Sequence, residues 1–484
     1  MQLNDTELFK QQCYINGQWT NAENSAVITV TNPATGETVG TVPSLGREEV
    51  ARAITQADEA MREWKKLPVP ERGKYLHKLH DLILEHLDDL AMILTVEQGK
   101  PLLQSQGEIL QGITYLPWFA EEARRAYGDT IPSPKPGVRI VTIRQPIGVV
   151  AAITPWNFPF GMILRKAAPA LAAGCTVLVK PASSTPFSAL ALAELVRRAG
   201  FPAGTFSVVT GKADVVGGEI TSNPAVRKIT FTGSTEVGKT LVAQGAATMK
   251  HASMELGGNA PFIVFPDADL DIAVACAARD KFRNTGQLCI CPDRFLVHES
   301  VYPEFLQRFA AAAKTLKLGN GIDPGVDVGP MIDKTAQNNM LRLVEDAKAK
   351  GAKVLAGGGI PALGGLYFEP TVLADVTPDM AVWHEEIFGP IGAVMPFSDE
   401  EEAVRLANDT NYGLASYFFT NDLKRVIRVS EALEYGMVGI NDATLANVEA
   451  PFGGVKDSGL GREGSHEGLE GYMETKYILL GALL

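Results

Sequence analysis

The stretch IGVVAAITPWNFPFGMILRKAAPALAAGCTVLVK, residues 147–180, decides how the chain folds. Ile147 to Thr154 is apolar and β-branched, Pro159 to Ala173 has helical spacing, and Thr176 to Val179 is a second short apolar run. The uncharged run from Ile147 to Leu164 is long enough to suggest a membrane span. Pro155, Asn157 and Pro159 break it, however, and Arg165 and Lys166 follow at once, so it reads as buried strand, turn and helix. Downstream the alternation continues: a helix over Pro186–Ala199, a strand over Thr205–Val209, a strand over Arg227–Phe231 entering Thr232-Gly233-Ser234, then a helix to about Ala247. Apolar strands alternating with helices predict a parallel sheet covered on both faces, with ligands at the carboxyl ends of its strands.

A second alternating block runs from Pro261 to about Asn441 and reads as another α/β unit. It includes strands over Pro261–Phe265, Arg294–His298, Gly351–Leu355 and Ile391–Phe397, and helices over Asp269–Lys281 and from Tyr302. Upstream, residues 15–45 alternate short apolar runs with turn signals and predict small antiparallel strands. Glu48 to about Ala126 is helical text in which Leu76, Leu79, Ile83, Leu87, Leu90 and Leu94 recur at three and four spacing. A Pro-rich bend, Pro132–Pro136, leads into an exposed strand, Val138–Arg144. The tail Tyr472–Leu484 is apolar for a terminal strand and predicts a subunit contact in a homo-oligomer, a dimer or tetramer.

The 484 residues carry 44 basic and 56 acidic side chains, a net charge of −12, which argues against binding nucleic acid or an anionic membrane surface. Five cysteines in so long a chain make no disulfide framework and point to a reducing compartment; with no signal-like start, the cytoplasm is expected. His77, His80 and His86 lie on the helical stretch with neither an HExxH pattern nor a neighbouring cysteine, so they read as surface or packing histidines and no metal site is expected.

Gly233-Ser-Thr-Glu-Val-Gly238-Lys239-Thr240 matches the P-loop pattern between a strand and a helix. Glu236 puts a carboxylate where phosphates would sit, and no partner Asp at a strand end stands out, which disfavours a P-loop hydrolase. A Gly-Ser turn at a helix N-terminus still offers N–H donors to a pyrophosphate. Gly459-Leu-Gly461-Arg-Glu-Gly464 matches GxGxxG with no clear strand before it and reads as a loop.

Chemistry is carried by three residues. Cys289 follows a polar, glycine-containing approach, Phe282 to Gln287, and reads equally as a core thiol or a nucleophile. Glu255, in Met254-Glu-Leu-Gly257-Gly258, reads first as a solvated loop acid; partly desolvated, it would be a general base. Asn157, between Trp156 and Phe158, either satisfies backbone groups or donates to an oxyanion.

Seven segments, in order and spanning almost the whole chain, resemble the aldehyde dehydrogenase superfamily: Thr154-Pro-Trp-Asn-Phe-Pro159, Leu178-Val-Lys180-Pro-Ala, Phe231-Thr-Gly-Ser-Thr-Glu236, Met254-Glu-Leu-Gly-Gly258, Gly286-Gln-Leu-Cys289, Glu385-Glu-Ile-Phe-Gly-Pro390 and Pro451-Phe-Gly-Gly454. The resemblance implies a Rossmann-type cofactor domain (residues 1–126 and 146–256), a second α/β catalytic domain (257–470) and a small β oligomerisation element (127–145 and 471–484). It implies Cys289 as the nucleophile, the Asn157 amide and the Cys289 N–H as oxyanion donors, and Glu255 as the base that activates water. Lys180 and Glu386 would hold the two riboses of NADP or NAD, Gly233 and Ser234 would meet the pyrophosphate, and Trp156 and Leu256 would line the channel. Glu463 resembles a second family acid in a proton relay.

Many NAD-preferring members carry a Glu where this chain has Ser183; without that charge, and with Lys212 nearby, NADP+ is expected to serve at least as well as NAD+. Within the family the chain is most similar to the succinate- and glutarate-semialdehyde branch, through Arg165 and Arg283, which would hold a substrate carboxylate. Two ordinary ion-pairing arginines are the competing reading. The branch's serine is missing from Thr444-Leu-Ala446-Asn447-Val-Glu449, which keeps 2-oxoglutarate semialdehyde open as a substrate beside the other two. Cys291 reads as a redox partner of Cys289 or as filler. Intact Cys289, Glu255 and Asn157 argue against an inactive structural relative.

Overall fold

The computed structural model describes residues 1–481, so Ala482–Leu484 of the predicted terminal contact lie outside the described residues. The opening stretch folds as read: strand Val149–Ile153, helix Gly161–Ala173 and strand Thr176–Lys180, with every residue of both strands buried. A strand buried on both faces has no reason to alternate polar with apolar residues, hence its continuous Val/Ala/Ile/Leu text.

Among the described residues these strands belong to an eight-stranded sheet ordered Gly459–Leu460, His251–Glu255, Val226–Thr232, Val149–Ile153, Thr176–Lys180, Phe206–Val208, Cys13–Ile15, Gln18–Thr20. The five strands from His251–Glu255 to Phe206–Val208 run parallel. Their register sets Ile153 beside Lys180 and Phe231, and Thr232 beside Glu255, so the carboxyl ends form one edge. The small antiparallel strands expected near the start include the hairpin Cys13–Thr20, which extends the main sheet because Tyr14 pairs with Val208. The glycine stretch read as a loop begins with two paired residues, Met254 opposite Leu460 and Glu255 opposite Gly459.

A seven-stranded sheet holds Lys353–Ala356, Thr371–Ala374, Ile391–Phe397, Pro292–His298, Ala260–Val264, Ala415–Phe419 and Met437–Ile440, all parallel except the first. Ala260 pairs with Pro292 at the amino ends of their strands. Residues 256–259 therefore cross from the carboxyl edge of one sheet to the amino edge of the other, and Cys289 and Glu386, which precede Pro292 and Ile391, arrive at the same seam. That crossing assembles the site. A third sheet pairs Met473–Leu480 with Arg139–Pro146 over eight residue pairs and adds Thr130–Ile131. No described helix is long and apolar enough to cross a membrane, and no metal-holding cluster occurs among the described residues.

Candidate active site

A cavity of about 530 Å³ opens along the seam. Trp156, Asn157, Lys180, Gly233, Ser234 and Glu255 line it from the first sheet's carboxyl edge, and Leu256, Cys289 and Glu386 from the crossing and the segments leading into the second sheet. Ser183 and Lys212 are not among the lining residues, although their neighbours Ala182 and Ala213 are. Arg165 and Arg283 also lie outside this lining.

The approach to Cys289 is held in an uncommon backbone shape. Asn284 and Thr285 both sit in the left-handed region, at φ 47° and 58°, and Gly286 follows at 72°. Two consecutive non-glycine residues there are costly and persist only where surrounding bonds over-determine them. Those bonds are present: Thr285 Oγ1 donates to Gly329 O (3.0 Å), Gln287 Nε2 to Asn284 O (3.1 Å), and Asn284 N to Gln104 Oε1 (2.8 Å). Asn157 is buried, and its Nδ2 donates to Gln287 O at 2.9 Å, which leaves the amide's second N–H for the cavity.

The Gly257-Gly258 pair has a steric cause. A Cβ on Gly257 would stand 2.6 Å from Glu386 Oε2, and one on Gly258 would stand 2.3 Å from Cys289 O. Only glycine lets the crossing come that close to both groups. Glu386 Oε1 accepts from Gly258 N at 2.9 Å. Burial pushes its pKa up to about 8. Burial also pushes the Cys289 thiol up to about 12, the Glu386 carboxylate adds to the shift, and Arg165 opposes it.

Glu255 is not the solvated acid its local sequence suggests. It is 2% exposed and neither carboxylate oxygen has a hydrogen-bond partner among the described residues. Burial, reinforced by Glu463 and opposed by Lys166 and Arg165, holds its pKa well above the ordinary carboxylate range. Lys166 Nζ sits 2.6 Å from Glu463 Oε1, while Glu463 Oε2 has no hydrogen-bond partner among the described residues. Lys180 is buried, its ammonium donates to Pro181 O (3.1 Å), and burial lowers its pKa to about 8. An ammonium so placed, a turn at the N-terminus of helix Thr235–Gly245 and a carboxylate at the far end suit the riboses and pyrophosphate of a dinucleotide. Lys239, the lysine of the P-loop pattern, points away: it pairs with Asp457 at 2.7 Å on the exposed side.

The match to the model for the aldehyde dehydrogenase family spans residues 19–478. The chain belongs to the aldehyde dehydrogenase family. It is 56% identical over 483 residues to a glutarate-semialdehyde dehydrogenase of Pseudomonas aeruginosa, covering 100% of both chains. It is 54% identical over 481 residues to the NADP(+) succinate-semialdehyde dehydrogenase of Escherichia coli, covering 99% of this chain and 100% of that one. The crystal structure of a succinate-semialdehyde dehydrogenase from Burkholderia pseudomallei superposes with a TM-score of 0.98 at 54% identity, covering 99% of this chain and 99% of that chain.

For an aldehyde dehydrogenase the placement of the two arginines matters. Arg165 is buried, with its guanidinium 4.1 Å from the Phe452 ring centroid and 5.3 Å from that of Tyr115, and its Nε 3.8 Å from Glu463 Oε2. Arg283 is half-buried and its Nε has no partner. Sequence reasoning missed Lys100, Glu108, Lys166 and Asn284. Lys100 stands between Gly99 and Pro101 and looks like a solvated turn lysine; the signal available was only that Glu108 follows eight residues later on the same helical stretch. His77 and His80 are side-chain neighbours of Glu121 and Asp81.

Proposed function

We propose that this aldehyde dehydrogenase oxidises a carboxyl-bearing semialdehyde with NAD(P)+, with succinate semialdehyde, giving succinate, as the foremost substrate. Glutarate semialdehyde and 2-oxoglutarate semialdehyde are the alternatives. The observation that carries the reading is the convergence of Cys289, Asn157 and Glu255 on one cavity with Lys180 and Glu386.

The Cys289 sulfur attacks the aldehyde carbon as thiolate and a C–S bond forms. With its own pKa near 12 the thiol must surrender its proton to a neighbouring base, and Glu255, lining the same cavity with a raised pKa, fits that role. The carbonyl electrons move to oxygen, which the Asn157 amide and the Cys289 backbone N–H hold. The bound nicotinamide supplies the hydride acceptor. As hydride leaves the carbon, the C=O bond re-forms as a thioester on Cys289. Glu255, having passed the thiol proton on to solvent, takes a proton from water, whose oxygen attacks the thioester carbon; the C–S bond breaks and Glu255 returns its proton to the departing sulfur, freeing the acid and the thiol. Lys180 and Glu386 would hold the riboses and Gly233 and Ser234 the pyrophosphate, with Trp156 and Leu256 walling the channel.

Arg165 and the free Nε of Arg283 hold the distal carboxylate. Arg283→Ala is expected to raise KM for succinate semialdehyde about tenfold while leaving propanal nearly unchanged; an unchanged KM for both sinks the clamp. NADP+ is expected to match or exceed NAD+, for want of a carboxylate at Ser183. An NAD+ preference of about tenfold in kcat/KM, roughly 1.4 kcal/mol, would overturn that. The chain works in the cytoplasm, a reading supported by five unpaired cysteines among the described residues. It assembles as a homo-oligomer through the edge strand Met473–Leu480, on which Tyr477, Leu479 and Leu480 are exposed. Light scattering that gives a monomer mass would refute the assembly.

A further inference from the structure

We infer that Lys100, through its ion pair with Glu108, is the positioning residue of the oxyanion donor Asn157. The inference rests on the proposed role of Asn157. Lys100 and Glu108 are both buried, with Nζ 2.7 Å from Glu108 Oε2. The same ammonium donates to the backbone carbonyl of Asn157 at 2.6 Å and lies 4.1 Å from the ring centroid of Phe158. Two hydrogen bonds and a ring face account for all three N–H groups. Glu108 Oε1 accepts from Phe160 N (2.9 Å) and Gly161 N (3.0 Å). One ion pair thus grips the turn 157–161 at three backbone atoms, on both sides of the point where helix Gly161–Ala173 begins.

The grip is stiff. Glu108 is carried on helix Leu102–Ile113, whose Gly112 lies so close that a Cβ there would stand 2.9 Å from Gly161 Cα. Asn284 Nδ2 adds a weaker bond to Asn157 O at 3.2 Å and bonds Gln287 O at 3.3 Å, which ties the turn to the nucleophile approach. The direction in which the Asn157 side chain leaves its backbone is therefore set by Lys100, and an oxyanion donor displaced by about 1 Å loses much of its effect. Among the described residues, the hydrogen bonds and ring contact of the Lys100 ammonium reach Glu108 and, of the cavity lining, Asn157 and Phe158, so Lys100 acts through the turn.

The test is a kinetic cycle on the single-turnover rate of NADPH formation from succinate semialdehyde, using Lys100→Met, Asn157→Ala and the double variant. Asn157→Ala is expected to slow the step by about 10²–10³-fold. Lys100→Met is expected to slow it by about 10–10²-fold in the wild-type background, with KM and NADP+ affinity changed less than about twofold, and by less than about threefold in the Asn157→Ala background. Equal factors in both backgrounds, or no slowing by Lys100→Met, overturn the inference and leave the reading of Asn157 intact. No slowing by Asn157→Ala removes that reading and the inference with it. If Lys100→Met fails to fold because Glu108 is left alone, Lys100→Met/Glu108→Gln, which leaves no lone buried charge, takes its place in the same cycle with the same outcomes. Full activity in that neutral pair also overturns the inference.

Discussion

Two buried lysine–glutamate pairs flank the site and differ in one respect. Lys100–Glu108 is saturated: one carboxylate oxygen takes the ammonium and the other takes two backbone N–H groups. Lys166–Glu463 is open: Oε1 takes the ammonium, while Oε2 has no hydrogen-bond partner and faces Arg165 Nε at 3.8 Å. Both glutamates are buried to the same degree, so burial alone does not separate them. A saturated pair can only hold backbone in place; an open acceptor beside Glu255, itself unpartnered, leaves somewhere for a proton or a water to go. The difference separates a pair that grips backbone from a pair that keeps an open acceptor.

The comparison breaks first at the open side. Glu255→Gln is expected to cut steady-state kcat by about 10²–10⁴-fold, with acylation slowed less than thioester hydrolysis so that a burst of NADPH survives. Rapid-mix absorbance checks this, and a vanished burst with normal steady-state turnover would refute it. Next comes stability. At position 108 a Gln must aim its NH2 at the Lys100 ammonium or at two N–H donors, a clash either way, and is expected to cost about 2–4 kcal/mol. At position 463 a Gln keeps an oxygen for Lys166 and sets its NH2 where Oε2 has no hydrogen-bond partner among the described residues, 3.8 Å from Arg165 Nε, and is expected to cost less than at position 108. Denaturant unfolding of both variants decides; equal losses erase the contrast.

A smaller effect sharpens it. The Glu463 carboxylate raises the Glu255 pKa, so Glu463→Gln should let Glu255 ionise at lower pH and move the ascending limb of the kcat–pH profile to more acid values. A shift to alkaline pH would contradict this. The smallest is a stability trend. The folded-state pKa of Glu255 lies above its unfolded value, so the folded state binds the extra proton between the two, and stability is lost as pH rises through that window. Glu255→Gln removes this penalty, so its Tm should exceed the wild-type Tm at pH 8 by a margin that shrinks towards pH 5.

Much of this was legible beforehand, for identifiable reasons. The strands Val149–Ile153 and Thr176–Lys180, and Ile391–Phe397 apart from Pro396, are buried on both faces, and continuous apolar text says so without help from distant residues. Glu255 shows the opposite case. Its neighbours Leu256, Gly257 and Gly258 look like a loop, and nothing nearby announces that Glu463, over two hundred residues away, raises its pKa. The P-loop pattern at 233–240 matched in letters, but the direction of Lys239 is set by Asp457, again far along the chain.

The sequence by itself determined the alternating α/β architecture and the family, and it singled out the residues proposed to react, because periodicity and short ordered motifs are local properties of the text. Only the tertiary structure decided that residues 256–259 cross between two sheet edges, that Glu255 stands unsolvated, and that Lys100 rather than a nearer residue holds Asn157. Those facts are distances between groups far apart in the chain, and in a close-packed interior such distances follow from how whole sheets and helices meet.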